Sequence, residues 1–322
     1  MVRIRGASRV AAARAACLVV LTALAACAPK LAQQGMENAA PAIEQSDFLT
    51  RDGLRLPLRH WDAPAPIAII VALHGMGDYS NAFDMPASFW ATQGITTYAY
   101  DQRGFGQSPN PGLWAGADML RGDLTDFVDA VRARYPNTPV YALGESMGGA
   151  VVLSSLASAR PPRADGVILV APAVWSREDM PWSYRAALWT TSHVAPWMTF
   201  TGKGLKIWPS DNIEMLRKLS RDPLFQHQTR ADAIYGLVNL MDEARKAPLK
   251  LTHAPPILLL YGANDQIIPK EPTEAIIAAL GKRVRVKRYA HGYHMLLRDL
   301  DAKEVWSDTL DWIASGRSTT LD

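Results

Sequence analysis

Cysteine is nearly absent. The 322 residues hold only Cys17 and Cys27, both close to the amino terminus. The rest of the chain therefore has no disulfide, no thiol nucleophile and no cysteine metal site. A basic excess is missing too, once the start of the chain is set aside. Residues 1–26 contain Arg3, Arg5, Arg9 and Arg14 and no acid; beyond them 30 basic residues face 31 acidic ones, so the formal +3 becomes −1. Such a body offers nucleic acid no net positive field, and no nucleic-acid partner is expected. Nucleotide motifs are also lacking, because Gly104-x-Gly106 has neither the third glycine nor the lysine that a phosphate loop needs. No long apolar run is present, and the one beginning at Cys17 is too short for a comfortable membrane span. What the chain does have is 48% hydrophobic and only 20% charged residues, enough to bury a sizeable core.

The first 26 residues run from a positively charged start through an apolar stretch to small residues, the layout of an export leader. They lead into Leu24-Ala25-Ala26-Cys27, which resembles a bacterial lipobox. That resemblance implies a Cys27 thiol acylated with diacylglycerol, which becomes the new amino terminus after cleavage. An ordinary secretory leader cut nearby is the other reading. Several acyl chains would anchor the protein stably where one would not. Ala28 rather than Asp follows the cysteine, which in a Gram-negative cell resembles the outer-membrane sorting pattern. The implied location is the bacterial cell envelope, lipid-anchored at the outer membrane and facing the periplasm. The expected division is a leader at 1–26, a tether at 27–46, a first core part at 47–173, a helical lid at 174–246 and a second core part at 247–322.

Within the core the apolar runs at 67–73, 95–100, 140–143, 166–171 and 257–261 read as strands, most of them apolar throughout. Helical patterns at 81–93, 118–135 and 271–280 alternate with them, and 301–315 fits a terminal helix. Alternation of this kind predicts an α/β fold whose mostly parallel sheet has helices on both faces. Ligands then bind beyond the carboxyl ends of the strands.

One stretch at such an end organises the rest. Gly144-Glu145-Ser146-Met147-Gly148 follows a strand and precedes a helix, the setting in which G-x-S-x-G forms a nucleophile elbow. A glycine-rich turn, His74-Gly75-Met76-Gly77, ends another buried strand. Amides in such turns can form an oxyanion hole, and the candidates are those of Met76 and Met147. His74, inside the turn, reads as structural, as do Asp101 and Arg103, an acid–base pair pinning the loop after residue 100.

Between 174 and 246 the alternation breaks and no buried strand is visible. Trp175, Trp182, Trp189, Trp197 and Trp208 fall here, half of the ten tryptophans. The first three are seven apart, although Pro181 interrupts any single helix through them. Ordinary packing is one reading; the other is an apolar lid over the site, with Trp175, Trp182, Trp189 and Trp197 contacting lipid or acyl chains. Helices are expected at 216–224 and 231–244.

Acyl transfer by serine needs a nucleophile, a base and an acid. Ser146, Asp265 and a late histidine, His291 or His294, supply these types in the order Ser…Asp…His of the α/β-hydrolases. The joint order of six motifs resembles the monoacylglycerol lipase and lysophospholipase group of that fold, which is also serine aminopeptidase-like. The motifs are His74-Gly75-Met76-Gly77, Asp101-x-Arg103-Gly104-x-Gly106-x-Ser108, Gly144-Glu145-Ser146-Met147-Gly148-Gly149, Ser220-Arg221-Asp222-Pro223-Leu224, Gly262-Ala263-Asn264-Asp265 and Gly292-Tyr293-His294-Met295-Leu296. The resemblance implies Ser146 as nucleophile, Asp265 as acid, His294 rather than His291 as base, and the Met76 and Met147 amides as oxyanion donors. It implies hydrolysis of a lipid acyl ester, monoacylglycerol or lysophospholipid, through an acyl-enzyme without metal or cofactor. A peptidase or amidase, an acyltransferase and a non-catalytic envelope binding protein are the alternatives on the same fold.

Overall fold

The computed structural model describes residues 28–318, apart from 203 and 205. In chain order its strands are β1 (Ala42–Ile43), β2 (Asp47–Leu49), β3 (Arg55–Trp61), β4 (Ala68–Leu73), β5 (Ile95–Tyr100), β6 (Val140–Glu145), β7 (Gly166–Val170), β8 (Thr199–Phe200), β9 (Thr229–Arg230), β10 (Ile257–Gly262) and β11 (Val284–Tyr289). Its α-helices are α1 (Asp84–Thr92), α2 (Ala117–Arg134), α3 (Met147–Ser155), α4 (Trp182–Val194), α5 (Ile213–Leu219), α6 (Ala231–Lys246), α7 (Lys270–Leu280) and α8 (Ala302–Ser318).

Nine strands form one sheet in the order β1-β2-β3-β5-β4-β6-β7-β10-β11. The first three are antiparallel, and every pairing from β5 to β11 is parallel. This is the α/β-hydrolase fold. The strands β4, β5, β6, β7 and β10 are buried along their whole length. Alternate residues feed the two faces, as a period of two requires. Ile69, Val71 and Leu73 enter the core under α2, α3, α6 and α7; Ala68, Ile70 and Ala72 enter the core under α1 and α8.

Several helix limits follow from local chemistry. Tyr135 precedes Pro136, which disfavours helical backbone at the residue before it, and α2 stops at Arg134. Asn212 accepts the Met215 amide and caps α5, which ends at Leu219, not at 224 as expected; Pro223 disfavours helix at Asp222.

The stretch 174–246 divides in two. Helix α6 buries Ala233, Leu240, Met241 and Ala244 in the main core and packs on α3. Helix α4 touches that core only through the half-buried Leu188, the short antiparallel pair β8–β9 lies outside it, and Ser192 is the one buried residue of α4. Residues from 28 onward lie along the body: the Lys30 amide reaches Asp232, Leu31 forms a bridge with Trp114, and the Asn38 and Ala39 amides reach the Arg51 carbonyl. Cys27 falls outside the described residues. Among the described residues no helix is long and apolar enough to cross a membrane.

Candidate active site

Strand β6 ends one residue before Ser146, and α3 starts one residue after it. Ser146 has φ 53° and ψ −114°, a left-handed conformation that a side chain disfavours by about 1–3 kcal/mol. Neighbouring backbone holds it there. Its amide donates to the Val170 carbonyl at 2.9 Å, and its carbonyl accepts from Ala150 at 3.1 Å and Ala173 at 2.9 Å. The flanking glycines are needed for closeness. A Cβ on Gly144 would lie 2.3 Å from the Gly148 oxygen, and one on Gly148 would lie 2.1 Å from the Leu73 oxygen.

His294 reaches Ser146 and Asp265 at once. Its Nε2 lies 2.9 Å from Ser146 Oγ, and its Nδ1 lies 2.8 Å from Asp265 Oδ2. A carboxylate only accepts, so Nδ1 carries the hydrogen and Nε2 is left to accept the serine proton. Asp265 sits just beyond β10. Its Oδ1 accepts the amides of Ile267 at 2.8 Å and Ile268 at 3.0 Å, which leaves Oδ2 for the histidine. The Asp265 side chain is fully shielded from solvent, His294 is buried, and His291 is exposed.

The turn after β4 touches the nucleophile: a Cβ on Gly75 would lie 3.2 Å from Ser146 Cβ. His74, fully buried, fixes this turn. Its Nδ1 donates to the Gly75 carbonyl at 2.9 Å, and its Nε2 accepts the Gln102 amide at 3.0 Å. Burial pushes its pKa down and keeps the ring neutral, as that pattern requires. The Asp78 amide also donates to the Gly75 carbonyl. In a trans peptide the C=O of one residue and the N–H of the next point opposite ways, so anchoring the Gly75 oxygen sets the direction of the Met76 N–H. Met76 is partly exposed. The Met147 amide is the first of α3, where helical N–H groups have no intrahelical acceptor.

A buried ion cluster behind these loops had no counterpart in the sequence reading. Arg298 Nη2 lies 2.6 Å from Asp78 Oδ2 and 3.3 Å from Glu145 Oε2. One guanidinium thus joins the oxyanion turn, the elbow and the loop of the base. Burial alone would lower its pKa, but the charges of Asp78 and Glu145 outweigh that and raise it. Asp299 next to it accepts the Tyr293 amide at 2.7 Å and the Ser210 hydroxyl at 2.6 Å, while burial pushes its carboxyl up to about 6. The visible signal was an Arg-Asp pair closing the apolar run Met295-Leu296-Leu297.

Asp101 and Arg103 are structural, but not as partners. Asp101 accepts the amides of Ser80 at 2.9 Å and Gln107 at 2.8 Å. Arg103 instead bridges Asp52 and Asp123, each at 2.6 Å.

The tryptophans fall into two sets. Trp175 packs, half-buried, against the core and meets Tyr184 edge-on at 6.4 Å. Trp182, Trp189 and Trp197 face solvent, and Trp182 is 79% exposed. The part of 174–246 that closes on the site is different. The Gln226 amide donates to the Gly77 carbonyl at 2.8 Å, and Tyr79 donates to Asp222 at 2.7 Å. The Trp208 amide donates to Gln266 at 3.0 Å and the Pro209 carbonyl accepts from Met295 at 2.8 Å, which seats this segment between the acid and base loops.

The family described as "Serine aminopeptidase, S33" matches residues 64–301. The chain belongs to this family. The matched residues of this serine aminopeptidase family member include Ser146, Asp265 and His294 together with both loops of the oxyanion candidates. Monoglyceride lipase of Rattus norvegicus is 26% identical over 271 residues, 81% of this chain and 86% of the relative. Monoacylglycerol lipase of Mycolicibacterium smegmatis is 24% identical over 281 residues, 84% of this chain and 97% of the relative. A soluble variant of Saccharomyces cerevisiae monoglyceride lipase, solved with a substrate analog, has the same fold: TM-score 0.72 at 17% identity, over 89% of this chain and 99% of that one.

Proposed function

We propose that the chain is a carboxylic ester hydrolase acting on lipids, with monoacylglycerol or lysophospholipid as substrate and Ser146 as nucleophile. The observation that carries this reading is the continuous relay from Ser146 Oγ through His294 to Asp265, at 2.9 and 2.8 Å. As Oγ attacks the ester carbonyl, His294 Nε2 takes its proton and Asp265 stabilises the imidazolium. The carbonyl oxygen becomes an oxyanion on the amides of Met76 and Met147. His294 then protonates the departing glycerol or glycerophospho alcohol, leaving the acyl group on Ser146. Water, deprotonated by the same nitrogen, attacks the acyl-enzyme and releases the fatty acid. The rat and mycobacterial lipases support a monoacyl lipid as substrate.

The family's description favours a second reading, release of an amino-terminal residue. A free α-ammonium needs a carboxylate to receive it. Asp78 and Glu145, the carboxylates of the oxyanion turn and the elbow, are both engaged by Arg298. A panel of monoacylglycerols, lysophospholipids, triacylglycerols and aminoacyl anilides separates the two. Highest kcat/KM on a monoacyl lipid is expected; highest kcat/KM on an aminoacyl anilide would replace the lipid reading. A lipid anchor at Cys27 and residence at the periplasmic face of the outer membrane complete the proposal. Their support is the Leu24-Ala25-Ala26-Cys27 sequence with Ala28 after it.

A further inference from the structure

The relay uses nothing from Ser220-Arg221-Asp222-Pro223-Leu224, yet this stretch is tied to the oxyanion turn. Asp222 divides its two oxygens. Its Oδ1 accepts the Leu224 amide at 2.9 Å and closes the turn over Pro223, and its Oδ2 accepts the Tyr79 hydroxyl at 2.7 Å. Burial, followed by that bond, pushes the Tyr79 phenol up, so the phenol stays protonated at neutral pH and donates. Further along, the Gln226 amide donates to the Gly77 carbonyl at 2.8 Å, and the Gln226 side chain donates to the Gly104 carbonyl. Gly77 has φ 80°, and a Cβ there would lie 3.1 Å from the Gln226 oxygen, so glycine suits both the backbone and the close approach.

These bonds complete the support of Met76. The Gly75 carbonyl, before it, is held by His74 and by the Asp78 amide; the Gly77 carbonyl, after it, is held by Gln226. Glycine on both sides of Met76 gives the backbone wide freedom unless the neighbouring peptides are fixed. Packing does not fix them alone. A cavity of about 300 Å³ is lined by Asp78 and Tyr79 of the turn and by Met215, Leu219 and Asp222 of the segment around α5. Direct contact between the two is therefore incomplete there, and the Tyr79–Asp222 hydrogen bond spans the gap.

We propose that Asp222 and Gln226 form a latch on the oxyanion turn, and that the Tyr79–Asp222 hydrogen bond sets the place of the Met76 amide. Tyr79 and Asp222 are positioning residues, acting through the backbone and not on the substrate. The inference rests on the Ser146 chemistry and the Met76 donor of the proposed function. Loss of the bond would displace the donor and leave the relay intact, because Asp265 and His294 stand on other loops. A displaced donor weakens the transition state more than the bound ester, so the latch acts on kcat and not on KM.

The test uses the full chain and a soluble short-chain ester. Tyr79→Phe removes one oxygen and keeps the ring. It should lower kcat about tenfold and change KM by less than about twofold, a fraction of the loss caused by deleting an oxyanion donor outright. An alkyl trifluoromethyl ketone adds to Ser146 Oγ and places its oxygen anion in the hole. Its Ki should rise by the same factor in Tyr79→Phe, whereas the matching methyl ketone, which does not add, should bind as before. Asp222→Asn leaves one oxygen for two donors and should cost a similar factor. The double variant Tyr79→Phe/Asp222→Asn should be no worse than the weaker single, because both break the same bond; if Asp222→Asn does not fold, Tyr79→Phe alone decides. Unchanged kcat in Tyr79→Phe, a raised KM at unchanged kcat, equal weakening of both ketones or additive losses in the double variant would each overturn the latch. Turnover retained in Ser146→Ala overturns the proposed function and the latch with it. Turnover that requires Ser146 and is indifferent to Tyr79→Phe overturns the latch alone.

Discussion

Around Ser146 the chain is tied down from several sides, whereas the described residues of 182–208 leave Trp182, Tyr184, Trp189 and Trp197 largely in solvent. The nucleophile's own backbone makes three hydrogen bonds, and His74, Asp265, His294 and Arg298 each bond two or more partners. In α4 a single residue is buried. A reaction coordinate tolerates little misplacement, so the rim is over-determined. The two regions should therefore respond in opposite ways to substitution.

The sharpest way to break the comparison is Ser146→Ala. Loss of kcat on the order of 10⁶-fold is expected, with an unchanged urea midpoint, because the side chain is small and the strained backbone stays. Asp265→Asn comes next. It reverses the hydrogen on the histidine ring and should lower kcat by about 10⁴-fold on a soluble short-chain ester.

Arg103 tests stability apart from chemistry. It is buried between Asp52 and Asp123, and Arg103→Met leaves two carboxylates unpaired, at a cost of about 3–5 kcal/mol by urea unfolding at pH 7. Its hydrogen bond holds the Asp52 carboxyl well below the usual carboxylate range. A depressed folded pKa stabilises the fold fully above the unfolded value near pH 4, and that stability is lost as pH falls below it. Wild-type stability should therefore drop steeply below about pH 4, and the variant's less steeply.

His74 acts through a carbonyl and not on the substrate. His74→Ala should lower kcat by about 10²-fold or more with little change in KM, as removal of one oxyanion donor does. His74→Asn, which can still donate to the Gly75 carbonyl, should recover part of that loss. The smallest effect belongs to the exposed region. Trp182→Ala should change stability by less than about 0.5 kcal/mol and leave turnover of a soluble ester unaltered.

Local order made much of this legible beforehand. Strands β4, β6, β7 and β10 were readable because burial on both faces leaves a nearly uninterrupted apolar run, whereas β5 buries Thr96 and Thr97 within its run. The elbow was readable because only glycine tolerates approaches of 2.1–2.3 Å at 144 and 148. The arrangement of Ser146, Asp265 and His294 followed from chain order and resemblance, and the choice between His291 and His294 needed the resemblance. Arg298 was not legible, since its partners Asp78 and Glu145 lie 220 and 153 residues away in sequence and no spacing links them. The Asp101–Arg103 pairing failed for the same reason: nearness in sequence said nothing of Asp52 and Asp123. The spacing of seven among Trp175, Trp182 and Trp189 fits a buried face as well as an exposed one, and only packing decides which: Trp175 is half-buried against the core, and Trp182 and Trp189 face solvent.

One measurement bears most directly on the reaction. The protein is mixed rapidly with a monoacylglycerol, quenched in acid within the first turnover, digested and read by mass spectrometry. The account predicts an acyl ester on the peptide that contains Ser146, absent in Ser146→Ala. Hydrolysis of the lipid retained in Ser146→Ala, or an acyl group found on a different residue, would contradict it.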